Sequence, residues 1–175
     1  MPMNHRILFG SYPIPRFANV ANHNFLVWTD EEGRPLFEIN GGASNPDGTF
    51  NYAAAFSRLT AVQTDYARRD PRLYPEFYVR PTSRTVTLFE AGYREVAARW
   101  RAGVEMAERI AAAGLRYSFL TQNSNSVAST VARSMELSVP SAALGILRAP
   151  GGRRRLRPVD IHGSRHARSM NAHMS

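Results

Sequence analysis

The sequence has no cysteine and no lysine. Without cysteine it has no disulfide, no thiolate zinc site and no thiol nucleophile. Such a chain tolerates reducing and oxidising surroundings alike. Long apolar runs are also missing. The first twenty residues are broken by Pro13 and Pro15, so neither a signal peptide nor a membrane-spanning segment is expected. The expected location is therefore cytoplasmic, or outside the cell by a route that needs no N-terminal signal. No His and carboxylate cluster has metal-ligand spacing, and "GGASNPDG" lacks the Gly-Lys-Ser/Thr ending of a phosphate loop. No zinc-finger or aromatic-basic RNA pattern is present. Neither a metal nor a cofactor is expected.

What is present is arginine. All 22 basic residues are Arg, and they give a net charge of +8. Seven of them, against one Asp, lie from Arg148 onward and contribute +6, leaving only +2 for residues 1–147. The length of 175 residues suits one domain, placed at 1–150, followed by an Arg-rich and flexible tail at 151–175. Such a tail offers an acidic partner, nucleic acid or acidic lipid, something to bind.

Along the chain, "HNFLVWT" (residues 23–29) and "LFEING" (36–41) read as two strands of a hairpin around the turn "DEEGRP". "ILFGSYP" is a short apolar run leading into a turn, with His5 in a ragged N-terminus. "YAAAFSRLTAVQTDYARR" (52–69) reads as a helix, with Tyr52, Phe56, Leu59 and Val62 or Gln63 on one side. Strand-like pieces follow at 77–80 and 85–89. The clearest helix spans 89–113, with apolar residues every three or four positions and Gly114 as its stop. Its Glu90–Arg94, Glu95–Arg99 and Glu105–Arg109 pairs have i,i+4 spacing. A second helix covers about 124–135, and "SVPSAALGIL" is a loop with a last strand. The expected fold is α+β, a small antiparallel sheet packed against helices.

The polar turn "QNSNS" (122–126) before the second helix admits two uses. Asn123, Ser124 or Asn125 can act as the helix cap. Alternatively, a helix N-terminus has free N–H groups and partial positive charge, which suit an oxyanion beside a nucleophile. A serine nucleophile needs a base, usually His, held by a third group. His23 is the candidate base. If Thr29 pairs with Pro35, His23 lies opposite Gly41 and beside Asn40, which could fix its tautomer, with Glu38 as the alternative. Ser126 lies deeper in the helix and suits the nucleophile role less.

A strand-borne His that precedes a polar nucleophile turn resembles the circularly permuted papain-like hydrolases, including the permuted NlpC-type, LRAT-like and PPPDE-like groups. The PPPDE-type motif is Tyr, a few residues, then Asn-Cys-Asn and a hydrophobic residue. Here the stretch is "YSFLTQNSNSV", with Ser124 at the Cys position. The resemblance covers about residues 20–45 and 115–137. It implies acyl transfer with Ser124 as nucleophile, His23 as base and Asn40 as orienter. Gln122, Tyr117 and Asn123 would line the oxyanion and substrate side, without metal or cofactor. Implied substrates are peptide, isopeptide, peptidoglycan or lipid acyl bonds, and small bacterial effectors are among the members. The serine departs from the family's cysteine. It leaves open a genuine serine hydrolase, an inactive relative, or a cysteine replaced by serine. The alternative function is a catalytically inactive papain-like adaptor, or a nucleic-acid-binding module working through the basic tail.

Overall fold

In "HRILFG" buried and half-buried side chains alternate, the pattern of a strand with one face on a core. This segment is β1 (His5–Pro13) of a computed structural model that describes residues 4–14, 22–47, 50–51, 57–68, 79, 81–118, 121–140, 155–157 and 161. The supposed ragged N-terminus is thus a central strand. β1 pairs antiparallel with β2 (Asn22–Thr29) on one side and with the last strand of the sheet on the other.

β2 turns into β3 (Pro35–Ser44) through a loop pinned by Asp30, whose carboxylate accepts from the N–H groups of Glu32 and Arg34. Gly33 takes the positive φ of 81° that the turn requires. Thr29 does pair with Pro35, but a bulge follows. Trp28 pairs with Phe37, so the register moves by one residue, and the ladder ends with Phe25 opposite Asn40 rather than with His23 opposite Gly41.

The expected helix at 52–69 is corrected where it is described: residues 58–65 form a strand, β4 (Arg58–Asp65), antiparallel to β3. Leu59 and Val62 suit a helical period, Leu59 and Ala61 the period of a strand. Thr60, Val62 and Thr64 are β-branched, and the open edge of β3 gives them a ladder, so tertiary pairing overrides the helical spacing. Residues 52–56, and the strand-like 77–80 apart from Val79, lie outside the described residues, as does any strand in 141–150. β5 (Arg84–Ala91) completes the sheet, in the order β4-β3-β2-β1-β5.

β5 also takes Phe89 and Glu90 out of the predicted helix, so α1 runs Tyr93–Ala113 and stops at Gly114 in the left-handed region. Of the three expected pairs only Glu105–Arg109 forms, at 3.9 Å. Glu90 pairs with Arg6, and Arg99 with Glu136. α1 buries Val96, Trp100, Ala107 and Ile110, and α2 (Ser124–Ser134) buries Val127, Ala128 and Val131. Both helices pack on the sheet face carrying Ile7, Phe9, Leu26, Trp28, Ile39, Leu59 and Ala61. Strand alternation sends His23, Phe25, Val27, Glu38 and Asn40 to the opposite face. The fold is α+β with a small antiparallel sheet.

The boundary expected near residue 150 does not end this core. Leu156 and Ile161 are buried within it, and the Leu156 N–H donates to Thr130 Oγ1 on α2 at 2.9 Å.

Candidate active site

The four residues before and at the start of α2 divide the work of the polar turn. Asn123 is the cap. Its Oδ1 accepts from the N–H groups of Asn125 and Ser126, at 3.0 and 3.2 Å. Ser126 reciprocates, its Oγ accepting from the Asn123 N–H at 3.0 Å to close a capping box. Asn123 was expected on the substrate side. Its side-chain oxygen is instead committed to the helix. Asn125 turns its side chain toward the sheet, where Oδ1 accepts from the Asn24 N–H at 2.9 Å and Nδ2 donates to the Asn22 carbonyl at 3.1 Å.

Ser124 is left as the first helical residue. It is 6% exposed, and its hydroxyl makes no hydrogen bond to another described residue. Its backbone N–H takes no part in the cap, which uses the next two N–H groups. It therefore sits where the helix dipole places roughly half a positive charge.

His23 and Asn40 are brought together. Phe25 faces Asn40, so His23, two residues earlier on the same side, is its diagonal neighbour. His23 Nε2 lies 2.8 Å from Asn40 Oδ1. The direction of that bond is set further along. Asn40 Nδ2 donates to Glu38 Oε1 at 2.6 Å, so its oxygen must face the imidazole, and Nε2–H is the donor. Tyr66 O–H donates to the other carboxylate oxygen, Glu38 Oε2, at 2.6 Å. The chain Tyr66–Glu38–Asn40–His23 thus leaves the ring's basic lone pair on Nδ1. Burial pushes the His23 pKa down from 6.5 to about 4, partly opposed by the Asn40 hydrogen bond. The imidazole is neutral at pH 7.

Of the remaining candidates, Gln122 closes a tight turn with Ser118, the two exchanging backbone hydrogen bonds at 2.8 and 3.0 Å just ahead of Ser124. The Tyr117 N–H bonds Ser57 O, and its ring packs against the core, where burial raises the phenol pKa and keeps it protonated. Neither side chain touches His23 or Ser124 through a hydrogen bond given by the described residues. Asn24, between His23 and the Asn125 contact, is fully buried with neither side-chain polar atom bonded.

Sequence reasoning weighed Glu38 but missed Tyr66 and Asn125. Tyr66 lay in the stretch read as helix, which gave no reason to place it beside β3. Asn125 was weighed only as a cap. Its distance of 101 residues from Asn24 hid the partner. Among the described residues no group of His and carboxylates can hold a metal, and no helix is long and apolar enough to cross a membrane. No family model, no curated protein and no solved structure matches the chain.

Proposed function

We propose that the protein is a hydrolase that cleaves an amide or ester by acyl transfer, in the manner of a permuted papain-like enzyme with serine in place of cysteine. One observation carries the reading. Within Asn123–Ser126, Ser124 alone has a side chain that neither caps the helix nor holds the sheet, and it stands next to the residue that ties α2 to the strand bearing His23.

In this reading the α2 N-terminus reaches through the gap beyond the Phe25–Asn40 pair toward the sheet face that carries His23. Ser124 Oγ then attacks the substrate carbonyl carbon while His23 Nδ1 takes the hydroxyl proton. Asn40, fixed by Glu38, keeps Nε2 protonated and the ring in place. The oxyanion that forms is met by the Ser124 N–H at the positive end of α2, with Gln122 and Tyr117 on the approach. The imidazolium then returns its proton to the leaving amine or alcohol. Water, activated by the same ring, hydrolyses the acyl-serine and restores the hydroxyl. The chemistry suits peptide, peptidoglycan or lipid acyl carbonyls, because nothing in it selects the leaving group.

A fluorophosphonate probe tests this. Labelling should occur at Ser124, and Ser124→Ala and His23→Ala should each abolish it with the fold intact. Ser124→Cys creates the only thiol in the chain. With the helix N-terminus beneath it, and with the imidazole taking its proton to form an ion pair as the reading requires, that thiol should ionise below its ordinary value of about 8.5. Absence of labelling, together with an unshifted thiol, would leave a non-catalytic module.

A further inference from the structure

β2 and β3 part company beyond the Phe25–Asn40 pair. β3 continues along β4 as far as Ser44–Arg58, while residues 22–24 of β2 keep only their β1 partners Pro13, Tyr12 and Ser11. The carbonyl of Asn22 and the N–H of Asn24 point to the edge that β3 has vacated. The α2 N-terminus enters this gap, with Val127 packed so closely on Gly41 that a Cβ there would lie 2.5 Å from the Val127 Cβ.

The Asn125 carboxamide fills the vacant place. It donates to Asn22 O and accepts from Asn24 N–H. A residue in a parallel ladder makes this same pair of bonds, and they bracket the residue opposite, which here is His23. A carboxamide has the donor, the acceptor and the planarity of a peptide group, so one side chain completes the ladder that the backbone leaves open.

We propose that Asn125 is a positioning residue for the Ser124–His23 pair: its carboxamide acts as a one-residue surrogate strand that fixes the His23 backbone relative to the start of α2. The inference rests on the acyl-transfer reading and adds to it. His23 is held on one side by Tyr12 of β1, and on the other by the residue that follows the nucleophile. The nucleophile and its base then share one short covalent and hydrogen-bonded path, Ser124–Asn125–Asn24–His23. An error in the distance between them cannot accumulate through loops.

The test uses the single thiol of Ser124→Cys. Its ionisation is followed by thiolate absorbance, and its alkylation by iodoacetamide from pH 4.5 to 9.5, in that background alone and with His23→Ala or Asn125→Ala added. Both additions should raise the thiol pKa by a unit or more and cut alkylation at pH 6 at least tenfold, with far-ultraviolet circular dichroism unchanged. Asn125→Leu, which fills the same gap without hydrogen bonds, should behave like Ala and serves if the Ala variant does not fold. A profile that moves with His23→Ala but stays in place with Asn125→Ala or Leu overturns the positioning role and leaves the pair intact. A profile indifferent to His23→Ala removes the pair itself. Failure of both Asn125 variants to fold assigns the carboxamide to stability alone and overturns the proposal.

Discussion

Acid should weaken this fold through one imidazole. His23 is 6% exposed and has a pKa of about 4, against 6.5 for the free side chain. Between those values the unfolded chain binds a proton that the folded chain refuses, so stability falls as pH drops from about 6.5 toward 4 and the contribution is flat outside that window. At roughly 1.4 kcal/mol per unit the full effect is about 3 kcal/mol. About 2 kcal/mol of it is already lost by pH 5. Other groups titrate in the same range, so the comparison is with His23→Gln, in which they remain. Urea unfolding followed by tryptophan fluorescence, at steps from pH 7.5 to 4.5, gives both stabilities. The parent should lose stability relative to the variant by about that amount, whatever their offset at neutral pH. A difference that stays constant across the range would mean that the folded ring protonates as readily as the free one. The buried position of the Tyr66–Glu38–Asn40–His23 chain would then be wrong.

Two further perturbations bear on how the site is held. Gly41→Ala places a methyl against the Cβ and both Cγ atoms of Val127, a stiff branched side chain, so α2 must move off the sheet. A cost of about 1–3 kcal/mol by chemical denaturation, with slower labelling of Ser124, is expected, and an unchanged midpoint would deny the close contact. Leu156→Ala should cost about 2–4 kcal/mol, as for a core leucine. A thermal midpoint equal to that of the parent would return Leu156 to a detachable tail.

The hairpin that carries His23 and Asn40 was legible from its turn and its two apolar runs, but its register was not. Thr29 and Pro35 do pair; continued without a bulge, that register sets Asn40 opposite Asn24 on the face away from His23, and the one-residue shift at Trp28 is what brings Asn40 diagonal to His23 on the same face. The α1 stripe was legible for a similar reason, since Val96, Trp100, Ala107 and Ile110 repeat on one face. β4 was not, because Leu59 and Val62 fit a helical spacing and only the neighbouring edge of β3 selects the strand. β1 escaped notice because its alternation is short and ends at Pro13. Its place between β2 and β5 depends on partners nine or more residues away, those on β5 more than seventy. Within "QNSNS" the residue types announced a helix start, but not which residue caps it. Asn123 takes the cap, while the Asn125 side chain is drawn to partners on β2, 101 and 103 residues away in sequence.

The surrogate strand also has a kinetic meaning. Its two hydrogen bonds span 101 and 103 residues, whereas the β2–β3 hairpin closes over a short turn. Contacts across such separations must offset the entropy of closing a long loop, so they form after the local ones. The polar turn of α2 and the strand bearing His23 therefore meet late, once residues 22–24 and Asn125 have both been made and the sheet is ready to receive α2. Substitutions at Asn125 should speed unfolding far more than they slow folding, whereas substitutions in the β2–β3 turn should divide their effect differently. A chain still emerging from the ribosome would carry His23, Glu38 and Asn40 without Ser124, so under the acyl-transfer proposal it stays inactive until α2 has been made.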